Sequence, residues 1–142
     1  MMNRLLEIHD SMIESIEHEK GEDVITFSHA YMHESSGNPG IDPGTGWSQR
    51  AVIRVEPISS DLPKIVWPFL IVDGTLIVDD VVLENEIPIP FPLNRSVVLR
   101  LSGFENHGSG RHHTIVICGE RAKFELQGAP RYIEAFKGID QE

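Results

Sequence analysis

Cysteine is nearly absent, with Cys118 the only one in 142 residues. A lone thiol excludes an internal disulfide framework and a thiolate-built zinc site. Cations are also scarce. Twelve Lys and Arg stand against 22 Asp and Glu, a formal charge of −10, and the basic residues are scattered singly. A phosphate-binding surface needs clustered Lys and Arg, so nucleic acid is not an expected partner. An acidic surface instead steers a protein toward cationic partners. No run approaches the ~20 apolar residues of a membrane span, and no secretory signal is visible in Met-Met-Asn-Arg-Leu-Leu-Glu. A membrane partner is therefore not expected, and the cytoplasm is the default location. No internal repeat is apparent.

What is present fits one β-rich domain over residues 1–142. Hydrophobic residues make up 40% of the sequence, enough for a single core. Val24 to His33 alternates Ile25, Phe27, His29, Tyr31 and His33 against Val24, Thr26, Ser28, Ala30 and Met32. Leu70 to Val72 and Thr75 to Val78 flank Asp73-Gly74, the strongest short signal for a tight hairpin. Ala51 to Val55, Val97 to Leu101, Thr114 to Cys118 and Ala122 to Leu126 read as strands, with Gly119-Glu120 as a turn between the last two. Tyr132 to Phe136 is a candidate closing strand. Many short strands separated by turn signals predict an all-β sandwich or flattened barrel. Leu5, Ile8, Met12 and Ile16 follow helical spacing, so a short helical turn through His9 is expected before the first strand. The alternate prolines of Ile87 to Leu93 exclude a central strand and predict an extended edge segment.

The long Gly/Pro segment from Glu34 to Ser48 stands out between two strands. Ordered domains rarely hold loops of about 12–15 residues without a functional reason. Asn38-Pro39-Gly40 and Asp42-Pro43-Gly44 each carry a type II turn pattern, so an ordered loop is expected, presenting Glu34, Ser36, Asn38 and Asp42 as a polar rim. Trp47 either folds back as an anchor or joins Tyr31 as a contact surface for a partner or sugar. A second polar loop, Asn106 to His112, offers Arg111 and glycine-freed N–H groups to an anion, or is a plain hairpin loop.

Seven histidines raise the question of a metal. On a strand His29 and His33 stand roughly 13 Å apart, and adjacent His112 and His113 face opposite sides. A composite site of His33, His107, one of His112 or His113, and Glu34 would have to be assembled by folding. No single element presets a metal site, so no metal or other cofactor is expected. Consecutive His9-Asp10-Ser11 cannot form a hydrolytic triad, whose members come from separate segments. Asp10 or Ser11 reads as a cap. No catalytic residue is assigned.

The opening Ile8-His9-Asp10-Ser11, followed by a strand-like segment, a Gly/Asp turn and Val24-Ile25-Thr26-Phe27, resembles that of small bacterial β-rich proteins. Some of these look like immunity proteins of polymorphic toxin systems. The resemblance implies a β-rich fold and a protein partner, and assigns no catalytic residue. The expectation is thus a non-enzymatic acidic binding protein, immunity-like or regulatory, with self-association left open. The alternative is a small-ligand or carbohydrate-binding β domain, metal-dependent in one version, with its site near the Glu34–Ser48 loop. Tyr31, His33, Asn38, Asp42, Trp47 and Arg111 are the candidate binding residues.

Overall fold

A computed structural model describes residues 2–89, 95–106 and 110–138. They form eight strands and no helix: β1 (Asn3–Glu19), β2 (Glu22–Ser35), β3 (Gly44–Asp61), β4 (Phe69–Val78), β5 (Val81–Glu84), β6 (Glu86–Ile89), β7 (Val97–Glu105) and β8 (His112–Phe136). All belong to one antiparallel sheet in the order β5-β4-β7-β8-β3-β2-β1-β6. The start of β4 also pairs with β1, through Met12 opposite Leu70 and Ile13 opposite Phe69. The sheet therefore curls back on itself over two residue pairs, without making a clean barrel. The all-β class read from the sequence is what the chain adopts.

The concave side of the curl holds the core. Leu6, Ile8 and Ile13 of β1, Ile25, Phe27 and Met32 of β2, Phe69 and Ile71 of β4, and Ile115 and Ile117 of β8 are all buried there. Alternation is interrupted twice, and each interruption changes which residues face inward. In β2 a bulge between Phe27 and Ala30 moves the inward phase from Ile25 and Phe27 to Ala30 and Met32. Tyr31 and His33, expected on the side of Phe27, consequently face the other way. In β1 four residues, 8–11, stand opposite Ala30 alone, between the pairs Glu7–Tyr31 and Met12–His29. The expected helical turn through His9 is absent for the same reason. The spacing of Leu5, Ile8, Met12 and Ile16 mimics a helix because a bulge splits one strand into two phases.

Two predicted turns are not turns. Asp73-Gly74 lies inside β4, and the actual hairpin turn is Asp79-Asp80, both at positive φ, joining Val78 to Val81. Gly74 is small because a Cβ there would meet Ile8 Cγ2 at 2.3 Å. Gly119 likewise lies within the uninterrupted β8, where a Cβ would meet Val55 Cγ1 at 2.2 Å. In both places glycine serves close strand packing rather than chain reversal. Lys20-Gly21, also at positive φ, joins β1 to β2. Glu86–Ile89 pairs with β1 as an edge strand, in keeping with the proline-rich reading; residues 90–93 of that segment lie outside the described residues.

Asn85, at positive φ between β5 and β6, locks the seam of the curl. Its N–H donates to the Gly74 carbonyl, its Oδ1 accepts from the Gly74 N–H, and its carbonyl accepts from the Ile8 N–H, each at 2.8 Å. A second lock is Glu105, buried at the end of β7, which accepts from His113 Nε2 at 2.8 Å and from the Val66 N–H at 3.1 Å. These hydrogen bonds, that from His113 foremost, hold the Glu105 carboxyl below its ordinary value of 4.5.

Two expected outcomes test these locks. Gly74→Ala should cost about 1–3 kcal/mol by overpacking against Ile8, read from the urea midpoint. A carboxyl whose value is lowered by folding stabilises above its unfolded value, and that contribution disappears as pH falls through the lowered one. Glu105→Gln should therefore be less stable than the parent at neutral pH. The gap between them should narrow as pH drops below 4.5.

Candidate functional site

The β1 bulge sets the site. By strand period, Glu7 and His9 share the face opposite Leu6 and Ile8, and Asp10 would point away from both. Asp10 has a φ of 71°, in the left-handed region that aspartate tolerates. That turn swings its carboxylate back toward its neighbours. Ligating atoms of Glu7, His9 and Asp10 lie within 4.8 Å of one another. Ser11 plugs the gap that the bulge opens. It is fully buried, its hydroxyl donates to the Glu7 carbonyl at 2.7 Å, and it accepts from the Tyr31 N–H at 3.1 Å. Ser11 is thus committed to the backbone, and the His9-Asp10-Ser11 run is no nucleophile with its base.

β2 supplies Tyr31 and His33 to the same face. His33 Nε2 bonds Glu7 Oε2, while His9 Nε2 contacts Glu7 Oε1. One carboxylate thus lies between two imidazoles. The Nδ1 atoms of His9 and His33 are both buried without a hydrogen-bond partner. The His33 ring is 5% exposed, with Tyr31 and Phe136 edge-on at centroid distances of 5.1 and 4.9 Å. Tyr31 donates its hydroxyl to Glu134 Oε1 at 2.8 Å. Burial, reinforced by that carboxylate, pushes its phenol far above the usual range, so it stays a protonated donor. Gly46 makes room for it, since a Cβ there would meet the Tyr31 hydroxyl at 2.2 Å.

These side chains line a cleft of about 510 Å³, completed by Pro39, Gly40 and Ile41, by Glu84, Asn85 and Glu86, and by Ile133, Glu134 and Phe136. Five lining residues are acidic, Glu7, Asp10, Glu84, Glu86 and Glu134, and none is Lys or Arg. Glu7 and Glu86 stand directly opposite each other in the β1–β6 pair. Like charges in that position oppose strand pairing. At the mouth, Ile41 and Ile133 are exposed apolar residues, at 52% and 41%.

The loop beside the cleft is shorter than the sequence implies, because β2 runs to Ser35 and β3 begins at Gly44. Gly40 has the positive φ its turn pattern requires, and the Ile41 N–H donates to the Asn38 carbonyl at 3.1 Å. The second expected turn does not form. Gly44 starts a strand, where a Cβ would meet the Glu34 carbonyl oxygen at 2.0 Å. Asp42 turns inward, its carboxylate accepting from the Asn38 N–H at 2.6 Å, so it staples the loop instead of forming an outward rim.

Of the six candidate residues, Tyr31 and His33 are in the cleft. Asn38 and Asp42 organise the adjacent loop. Trp47 pairs with Met32 on the opposite face, half-buried against the core, with its Nε1–H on Thr45 Oγ1 at 2.8 Å and its ring edge-on to Tyr132. It packs against the core from the face opposite Tyr31, and so does not join Tyr31 in one contact surface. Arg111, exposed before β8, is not among the cleft's lining residues. The composite histidine site is not assembled either. His33 is engaged by Glu7, His113 by Glu105 and His112 by the Phe104 ring, while His107 lies outside the described residues. A second Ser/His/Asp set, Ser60–Asp23–His18, crosslinks β3, β2 and β1, but with aspartate in the middle the serine and imidazole both bond the carboxylate and not each other.

The sequence reading did not single out Glu7 or Glu134, which come from β1 and β8, and took Asp10 or Ser11 as a cap. Only a break in the β1 alternation at His9-Asp10-Ser11 marked the place. Ser11→Ala should leave the fold intact by circular dichroism yet cost about 1–3 kcal/mol, because it strips the Tyr31 N–H of its partner. No protein-family model, no curated protein and no solved structure matches the chain.

Proposed function

We propose that this domain is a non-enzymatic binding protein, regulatory or immunity-like, that takes a positively charged side chain of a protein partner into the acidic cleft. The observation that carries the reading is the lining: five carboxylates, no Lys or Arg, and the opposed pair Glu7–Glu86. A protein of this charge gains nothing in stability by facing two carboxylates across a strand pair, and a bound cation removes the repulsion. Ile41 and Ile133 at the mouth suit the aliphatic stem of arginine or lysine, whose charged head would reach the carboxylates. The overall charge of −10 would speed encounter with a basic partner.

A small-ligand reading is favoured by one feature, the cleft volume of about 510 Å³ with a Tyr31 hydroxyl in its wall. The two separate by chemistry. Arginine-containing peptides, added with chelator present, should shift backbone amide resonances of Tyr31, His33 and Ile133, with affinity falling as salt rises. Glu86→Gln/Glu134→Gln should weaken that binding, while acidic peptides should not bind. Neutral sugars shifting the same resonances, with basic peptides inert, would replace the protein-partner reading with the small-ligand one.

A further inference from the structure

His9 Nε2 faces two carboxylates at once, contacting Glu7 Oε1 and standing 3.9 Å from Asp10 Oδ2. A single N–H cannot serve both, and the ring's other nitrogen is buried without a partner. A shared cation would serve all three groups. We propose that Glu7, His9 and Asp10 coordinate a divalent transition-metal ion at the floor of the cleft, with His33 holding Glu7 in place. The proposal rests on the reading of the cleft as a cation site and names the cation.

The donor set is one imidazole and two carboxylates. Calcium and magnesium select all-oxygen shells, and a soft ion would select thiolate, so this set fits zinc or manganese. Ligand atoms ~2.1 Å from one ion stand at most ~4.2 Å apart. The present spread of up to 4.8 Å would close by rotation of Asp10, whose side chain is 75% exposed, and the direct His9–Glu7 contact would open to admit the ion. The outer interaction that metal-ligating carboxylates require is already built, because His33 bonds the second oxygen of Glu7, while the first faces His9 Nε2, the atom with which it would share the ion. His33 is itself fixed by burial between two aromatic rings. Three ligands on one bulge leave the remaining coordination positions open to the cleft.

The test uses the untagged, chelator-treated chain, titrated calorimetrically with zinc chloride and with manganese chloride. One ion per chain is expected, with a rise in the thermal midpoint, since a ligand bound only by the folded state stabilises it. Asp10→Asn preserves the tolerance for positive φ and should fold normally yet lose the binding, as should His9→Gln. His33→Gln should weaken it by about 10–100-fold, the range for loss of an outer-shell partner. His18→Gln, at a separate histidine–carboxylate pair, should change nothing. Failure of both ions to bind stoichiometrically overturns the proposal, as does binding by Asp10→Asn and His9→Gln equal to the parent's. If arginine peptides still bind in that case, the metal site alone falls and the cation-binding cleft stands. If neither metal nor peptide binds, both readings fall.

Discussion

Four residues of β1 stand opposite one residue of β2, and the rest of the molecule depends on that mismatch. Three consequences follow from it. The strand changes phase, so that Leu6 and Ile8 bury on one side of the bulge and Ile13 on the other side still reaches the same core. The free edge of β1 is divided, pairing with β6 before the bulge and with β4 after it. That division is what lets one sheet curl back on itself. Finally, the displaced backbone must find new partners, because unpaired buried amides are costly. Ser11 and Asn85 supply them, one from within the bulge and one from the facing strand connection.

The same bulge gathers the charges. A regular strand would have put His9 and Asp10 on opposite faces, with Asp10 away from Glu7. The left-handed turn at Asp10 puts all three together. None of this helps the fold. Clustered carboxylates repel, and two imidazoles with orphaned Nδ1 atoms sacrifice hydrogen bonds. Local violations of this kind, held in place by well-satisfied surroundings, are what binding sites look like when their ligand is considered apart from them. The surroundings are well satisfied: Ser11, Asn85, Tyr31 and Glu134 are all hydrogen-bonded.

The fold class was legible because β-branched and aromatic residues alternate through most strands, and alternation survives any particular strand order. The connections were less legible, and glycine explains why. Asp73-Gly74 has a turn's sequence, yet Gly74 is small to admit Ile8, a residue 66 positions earlier, and no local pattern encodes that contact. The true turn, Asp79-Asp80, looks unremarkable in sequence because aspartate enters the left-handed region only when the flanking strands demand it. The site was half legible. Tyr31 and His33 were singled out for their chemistry, but the bulge after Phe27 reversed the face they occupy. Trp47 drew notice by its size and lies half-buried against the core, on the face away from Tyr31. Glu84, Glu86 and Glu134 look like any solvated acidic residues until the curl of the sheet brings their strands to one cleft.

Because the bulge both closes the sheet and carries the charged cluster, a cation bound in the cleft would couple its occupancy to closure of the fold. Ile8 donates to Asn85 on one side of the peptide chain, and His9 and Asp10 reach into the cleft on the other. A cation that draws Glu7 and Asp10 together tightens the backbone between them, and with it the Ile8–Asn85–Gly74 seam. Conversely, any loosening of that seam spreads the carboxylates apart. The coupling is reciprocal by thermodynamic necessity. It also accounts for the division of labour in the short segment 7–11, where Ile8 and Ser11 serve the fold and Glu7, His9 and Asp10 serve the site. Neighbouring residues of one short segment thus carry both functions.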